Sequence, residues 1–281
     1  MSHTDLIAKH IAPLYPIPTG MTPGGALRKP VKAVLFDVYG TLFISRSGDI
    51  SIAKTEAQTA RRLDSLVAAY AYPGSVDDLI HVFFHTINSA REAMQQQGID
   101  FPEVEIDRIW MDVLGTADID TARRFAIEFE MIVNPGWPMP QMVDVLSVLR
   151  NSGMRLGIIS NAQFFTPLLF KVFCGNLPEN MGFHADLVFY SYRHKTAKPS
   201  MRLFQLAAAQ LKAMGIDAET ALYVGNDMLN DIMPALAEGF QTVLFAGDKR
   251  SLRMRQNDSR CNGVAPDLII TRLDQLITRI T

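Results

Sequence analysis

Cysteine is nearly absent from this chain: Cys174 and Cys261 are the only two thiols in 281 residues. They stand far apart and at no metal-ligand spacing. This excludes a disulfide framework and a thiolate metal centre, and the pair reads as idle thiols of a reducing, cytoplasmic compartment. An excess of either charge is also missing. The 27 Lys and Arg nearly cancel the 29 Asp and Glu, for a net charge of −2, which gives no reason to expect a nucleic acid or an anionic membrane as partner. No apolar run approaches the roughly 20 residues of a membrane span. The start, Met1-Ser2-His3-Thr4-Asp5, lacks the basic opening and apolar core of a signal peptide. Gly24-Gly25 is not followed by Lys and Ser or Thr at P-loop spacing, so a nucleotide cradle of that kind is excluded. Internal repeats and low-complexity tracts are missing too. What remains is ordinary for a globular protein, 48% apolar and 20% charged, and long enough for one large domain or two modest ones.

The pattern along the chain divides it. Residues 1–30 hold five prolines and three glycines and read as a short helix over residues 4–11 followed by an irregular arm. A first strand is expected at Lys32–Phe36. From Ile52 to Val133 the β-branched runs vanish and helical periodicity takes over, with helices expected at Ala53–Ala71, Val76–Gln97, Glu103–Leu114 and Thr121–Ile132. Strands and helices then alternate: helix Met139–Ser152, strand Arg155–Ile159, helix Phe164–Cys174, strand Leu187–Tyr190, helix Ser200–Met214, strand Ala221–Val224, helix Asp231–Ala237, strands Thr242–Phe245 and Leu268–Ile270, and helix Leu273–Arg279. Such alternation predicts an α/β fold, a Rossmann-like parallel sheet with helices on both faces, here carrying an inserted all-α segment. The expected division is an extension over 1–30, a core over 31–45 and 136–281, and an all-α insert over 46–135.

Four stretches carry chemistry, each just after an expected strand: Asp37-Val38-Tyr39-Gly40-Thr41, Ser160-Asn161, Lys195-Thr196-Ala197-Lys198-Pro199, and Gly225-Asn226-Asp227 with Asp231 four residues on. The strand ends of one parallel sheet share an edge, so these groups can converge. A carboxylate nucleophile must be ionised and aimed. A nearby lysine holds it ionised and neutralises charge developing on the substrate. Hydroxyls can bond substrate oxygens, and an acidic pair can hold a hard cation such as Mg²⁺.

Three of the stretches also have a plainer reading. Asp37 before Gly40 is turn chemistry, Ser160-Asn161 can cap a helix, and Asp227 with Asp231 can complement a helix dipole. His81, His85 and His184 lack metal-spaced partners. Arg61-Arg62 and Arg123-Arg124 read as solvated charges on cap helices. Phe83, Phe84, Trp110, Phe125 and Phe129 read as packing within the cap, and Arg250 to Arg260 as a basic loop without evident chemistry.

The four stretches, in this order, resemble the four motifs of the haloacid dehalogenase-like hydrolases over roughly residues 31–245, with the helical insert in the place of the family's cap. The resemblance implies Asp37 as a nucleophile that forms a covalent aspartyl intermediate, and Lys198, marked by Pro199 and preferred to Lys195, as its partner. It implies Thr41 and Ser160 as hydroxyls facing substrate, Tyr39 and Asn161 as substrate-binding, and Asp227 and Asp231 as the closing acids. A Mg²⁺ site, if present, would use Asp37, the Tyr39 carbonyl and Asp227, with Asp231 behind them.

Tyr39 stands where the family's phosphatases carry a second Asp. General acid–base help of that kind is worth roughly 10²–10⁴-fold, and a phenol, with an ordinary pKa of about 10, is a poor substitute. The Asp-x-Tyr-Gly-Thr form resembles the L-2-haloacid dehalogenases, whose halide leaves without a proton and without metal. Against this, Phe204 stands where they carry Tyr, and Gly225-Asn226-Asp227 departs from their Ser-Ser-Asn. A phosphonoacetaldehyde hydrolase-like Schiff base would fall to Lys54, the sole lysine between Arg46 and Pro138. The expectation is therefore a hydrolase of a small anionic substrate, dehalogenase-like, with Mg²⁺-dependent phosphoryl hydrolysis and a catalytically weak anion- or protein-binding module as rivals. Nothing in the sequence sets an oligomeric state.

Overall fold

The computed structural model describes residues 1–45 and 57–280. Helix α1 (His3–Lys9) opens the chain, closed at its start by a reciprocal pair of bonds between Ser2 and Asp5. Strands β1 (Gly24–Gly25), β2 (Ala33–Phe36) and β3 (Phe43–Ser45) follow. Helices α2 (Ala57–Ala69), α3 (Val76–Gln96), α4 (Ile106–Leu114) and α5 (Ile119–Val133) then form the insert, which β4 (Gly136–Pro138) closes. The rest alternates: α6 (Met142–Asn151), β5 (Arg155–Ser160), α7 (Thr166–Cys174), β6 (Phe183–Tyr190), α8 (Ser191–His194), α9 (Arg202–Ala213), β7 (Ala221–Gly225), α10 (Met233–Ala237), β8 (Gln241–Phe245), β9 (Leu268–Ile270) and α11 (Gln275–Ile280).

The main sheet runs β1-β9-β8-β7-β2-β5-β6, parallel except for β1 against β9. It is the mostly parallel sheet with helices around it that the alternation predicts. Burial on both faces explains why β2 reads as an unbroken apolar run. Val34 and Phe36 enter the core under α6 and α7, while Ala33 and Leu35 enter the core under α9. Each such large side chain contributes about 1.5–3 kcal/mol by leaving water.

Several elements differ from the sequence expectation. The arm over 1–30 adds β1 to the sheet edge, and α1 buries Leu6 and Ile7 in the main core. The strand ending at Tyr190 begins at Phe183, ahead of the expected Leu187. Strands β3 and β4, too short to show a periodicity, pair antiparallel on either side of the insert. Residues Met228–Ile232 form one wide π turn rather than the start of a helix, just ahead of Pro234, which has no N–H to donate. The expected start of α2 at Ala53, and Lys54, lie outside the described residues.

The insert has a core of its own. Trp110 stacks on Phe83 at 4.3 Å between ring centres and meets Phe125 and Phe129 at 4.6 and 4.8 Å. These aromatics are packing, as their helical spacing suggests. Glu128 of α5 accepts hydrogen bonds from Lys9 and Tyr70 and lies 3.5 Å from His10, so α1 is tied to the insert.

Candidate active site

In the sheet order, β2 lies between β5 and β7, so the ends of these three strands open one crevice. Asp37 follows β2, and its N–H is held by the Val224 carbonyl at 2.9 Å. The turn after it needs Gly40, whose φ is +85° and whose absent Cβ would meet Ser251 Cβ at 2.6 Å.

Lys198 reaches the crevice from the loop before α9. Its Nζ donates to Asp37 Oδ1 at 2.8 Å and to Asp231 Oδ1 at 2.5 Å, and lies 3.1 Å from the Tyr223 hydroxyl. Burial alone would lower the Lys198 pKa, but the Asp231 and Asp37 carboxylates outweigh it and hold the ammonium above its usual range. Burial pushes the Asp231 carboxyl up to about 6, against the pull of Lys198. Asp231 Oδ1 also accepts from Tyr223, and its Oδ2 accepts from the N–H groups of Asn226 and Asp227 at 2.9 Å each. Both Asp231 oxygens are thus engaged with protein donors. The residue fixes Lys198 and the loop after β7.

The remaining predicted residues fall into distinct roles. The Thr41 hydroxyl donates to Asn226 Oδ1 at 3.0 Å, and Ser160 Oγ lies 3.4 Å from the Val38 N–H; both are fully buried behind the turn. Asn161 clasps the Lys198 backbone from both sides, accepting its N–H at 2.7 Å and donating to its carbonyl at 3.2 Å. The Tyr39 hydroxyl is paired with Thr166 Oγ1 at 2.9 Å, and burial pushes its pKa up. Lys195 is exposed and outside the crevice. His81 and His85 are exposed, and Arg123 and Arg124 are engaged with Asp107 and Asp120.

The structure brings in residues that sequence reasoning missed. Tyr223 sits inside the apolar run of β7, and its hydroxyl completes the Lys198 cluster while Phe204 packs against its ring at 4.9 Å. A buried tyrosine needs a partner for its hydroxyl, and that was the available signal. Arg253 and Arg255 line the crevice, a cavity of about 280 Å³ shared with Asp37, Lys198, Asn134 and Ser251. Their loop is laid beside the β7 turn by reciprocal backbone bonds, Arg253 N–H to Asn226 and Met228 N–H to Arg253.

Arg255 decides how a cation would fare. Mg²⁺ binds through one or two carboxylates, with waters and substrate oxygens as its other ligands. Asp227 presents its carboxylate to Arg255 instead, with Nη2 to Oδ2 at 2.6 Å and Nε to Oδ1 at 3.0 Å, and also accepts the Leu229 and Asn230 N–H groups. The Asn226 amide oxygen is taken by Thr41. As folded, Asp227 is turned to the Arg255 guanidinium and Asp37 Oδ1 to the Lys198 ammonium, a donor set that fits side-chain cations rather than Mg²⁺.

Comparison with known proteins places this architecture. A family model described as haloacid dehalogenase-like hydrolase matches residues 31–239. Over 216 residues, 76% of this chain and 84% of the relative, the sequence is 27% identical to the glyceraldehyde 3-phosphate phosphatase of Methanocaldococcus jannaschii. Among solved structures, the 2-haloacid dehalogenase of Pseudomonas syringae superposes with a TM-score of 0.55 at 19% identity, covering 89% of this chain and 98% of that one. A HAD phosphatase from Thermococcus onnurineus gives 0.56 at 19%, covering 88% and 97%. Both structures share the fold, and the chain belongs to the haloacid dehalogenase-like hydrolases.

Proposed function

We propose that the chain hydrolyses a small anionic substrate through a covalent intermediate on Asp37, with dehalogenase-type chemistry. The observation that carries this reading is the state of residue 39. The Tyr39 hydroxyl is committed to Thr166 and its pKa is raised by burial. With no ready acid or base two residues after the nucleophile, the substrate needs a leaving group that departs without a proton, as a halide does. An Asp37 carboxylate oxygen bonds the halogen-bearing carbon, and the halide leaves with the bonding pair. Water then attacks the carboxyl carbon of the ester. The hydroxy acid departs with the former aspartate oxygen, Asp37 keeps the oxygen of water, and one proton is released.

In this scheme Lys198 holds Asp37 Oδ1, which leaves Oδ2 to attack. Lys198, Arg253 and Arg255 supply the positive field for an anion. Thr41, Ser160 and Asn161 position the turn and the lysine. A core over 31–45 and 136–281 split by a cap over 46–135 is the arrangement that would let such a site close over substrate.

A second reading, phosphoryl hydrolysis, is favoured by the lining of the crevice. Apart from the Tyr39 ring, its residues are charged or carry amide or hydroxyl groups, which offers little to a small alkyl halide and much to a phosphorylated polar body. The phosphatase among the relatives points the same way.

One paired assay separates them. Purified protein receives 2-chloropropionate with a chelator and p-nitrophenyl phosphate with Mg²⁺, beside an Asp37→Asn control. Halide release that survives chelation supports the first reading, and Mg²⁺-dependent phosphate release supports the second. Activity no higher than the Asp37→Asn background across a broad panel would leave a binding module.

A further inference from the structure

Beside the Asp37 crevice lies a second cavity of about 230 Å³, which the crevice mechanism does not use. The two share Tyr39, Asn134 and Asn161 as walls. The second is closed on the insert side by Glu103 and by Glu130 of α5. Glu103 is engaged: it accepts the Ser191 hydroxyl at 2.8 Å and the Val104 N–H at 3.1 Å. Glu130 is not. Its Oε1 accepts from Asn134 Nδ2 at 3.0 Å, and among the described residues its Oε2 meets no donor. Asn134 in turn accepts from Ser45 Oγ at 2.8 Å, where the chain leaves the core for the insert. That half-buried oxygen is free to accept a hydrogen bond from a molecule in the cavity. Consistent with that, burial pushes the Glu130 carboxyl up to about 7, with only Asn134 pulling it back.

We propose that this second cavity holds the body of the substrate, and that Glu130 selects it by accepting a hydrogen bond from a hydroxyl or ammonium group on that body. The inference rests on the reading that the anionic end binds in the Asp37 crevice, since the shared walls then lead the body toward Glu130. It assigns the substrate class more narrowly than the crevice does: a small anion whose far end carries a hydrogen-bond donor, rather than a plain alkyl chain.

Binding of inert ligands tests this apart from the chemistry. Two series are titrated calorimetrically into the full chain. One is 3-aminopropyl-, 3-hydroxypropyl- and n-butylphosphonate; the other is 4-aminobutyrate, 4-hydroxybutyrate and valerate. Neither series carries a halide or a phosphate ester, so the result stands whichever bond the enzyme breaks. In at least one series the donor-bearing ligands are expected to bind about tenfold more tightly than the methyl-ended one, the size of one hydrogen bond to a charged group. Glu130→Ala is expected to erase the preference. Glu130→Gln, close in shape, is expected to keep the hydroxyl preference and lose the ammonium one; circular dichroism of both variants checks folding. Equal binding of the three tails, a preference that survives in Glu130→Ala, or no binding of either series at millimolar concentration would overturn the proposal.

Discussion

The Lys198 ammonium stands 2.8 Å from an Asp37 carboxylate oxygen, with 3% and 9% of the two side chains exposed. The lysine also serves Asp231, so its removal leaves two buried carboxylates without a cation. Breaking a buried ion pair from one side costs about 3–5 kcal/mol. Lys198→Met is expected to lose at least that order of stability in urea unfolding at pH 7. The Asp231 carboxyl is already raised to about 6 by burial, and a group whose folded pKa is raised contributes stability below its unfolded value and loses it as pH rises. The deficit of the variant should therefore shrink on acidification toward pH 4. A variant as stable as wild type at pH 7 would show that the carboxylates do not depend on Lys198.

Much of this cluster could be read in the sequence, and the unread part has a physical cause. Asp37, Ser160 and Gly225 follow short apolar runs, and a parallel sheet buried on both faces writes its strands as such runs. Lys198 and Lys195 are told apart by the proline after the former. The direction of a side chain is another matter. Asp227 and Asp231 look interchangeable in a string of letters, yet the wide turn over Met228–Ile232 sends Asp231 to Lys198 and leaves Asp227 to Arg255. Arg255 is 28 residues from its partner in a loop without periodicity. Glu130 sits among apolar residues of α5, and only the fold shows that it lines a cavity.

Tyr39→Phe separates structure from chemistry at the letter that most distinguishes this chain. The change removes one hydroxyl whose partner Thr166 keeps another bond, from the Gln163 N–H at 3.1 Å. The expected cost in stability is about 1 kcal/mol. Turnover, on whichever substrate the paired assay finds, should stay within about threefold, whereas loss of a general acid or base would cost roughly 10²–10⁴-fold. A hundredfold fall in kcat would show that the phenol takes part in the reaction.

Glu130→Gln should reverse the pH trend of part of the stability. The wild-type carboxyl is raised from its ordinary 4.5 to about 7. It therefore stabilises the fold relative to the ionised state below about pH 4.5, and that contribution is lost as pH rises through 7. The neutral amide carries no such dependence. The gap between variant and wild type is expected to move in favour of the variant from pH 4.5 to 7 and to level off above, by up to about 3 kcal/mol. Parallel stability–pH curves would mean that Glu130 titrates as it does in water.

Arg255→Ala tests whether the guanidinium serves the substrate more than the fold. Its side chain is 38% exposed, and partly exposed pairs contribute about 1 kcal/mol or less. Asp227 keeps the Leu229 and Asn230 N–H bonds without it. The melting temperature should thus change little, while KM for an anionic substrate rises about tenfold and kcat stays near wild type. A fall in kcat with KM unchanged would place Arg255 at the transition state instead.

Two glycine substitutions distinguish loss of stability from loss of site geometry. A Cβ on Gly225 would fall 2.4 Å from Asp231 Cγ, so Gly225→Ala must displace the carboxylate that steadies Lys198. Overpacking of this kind costs about 1–3 kcal/mol, and the shift is passed to the Asp37 contact. Gly153 also resists a side chain, but for a different reason: its φ is +81°, with nothing within 4 Å of the missing Cβ. It follows α6 and precedes β5, at the end of the sheet away from the crevice. Gly153→Ala should therefore lose about 1 kcal/mol with kcat unchanged. Gly225→Ala should lose comparable stability and at least tenfold in kcat. Equal kcat in the two variants, measured below both melting temperatures, would mean that Asp231 can move without disturbing Asp37.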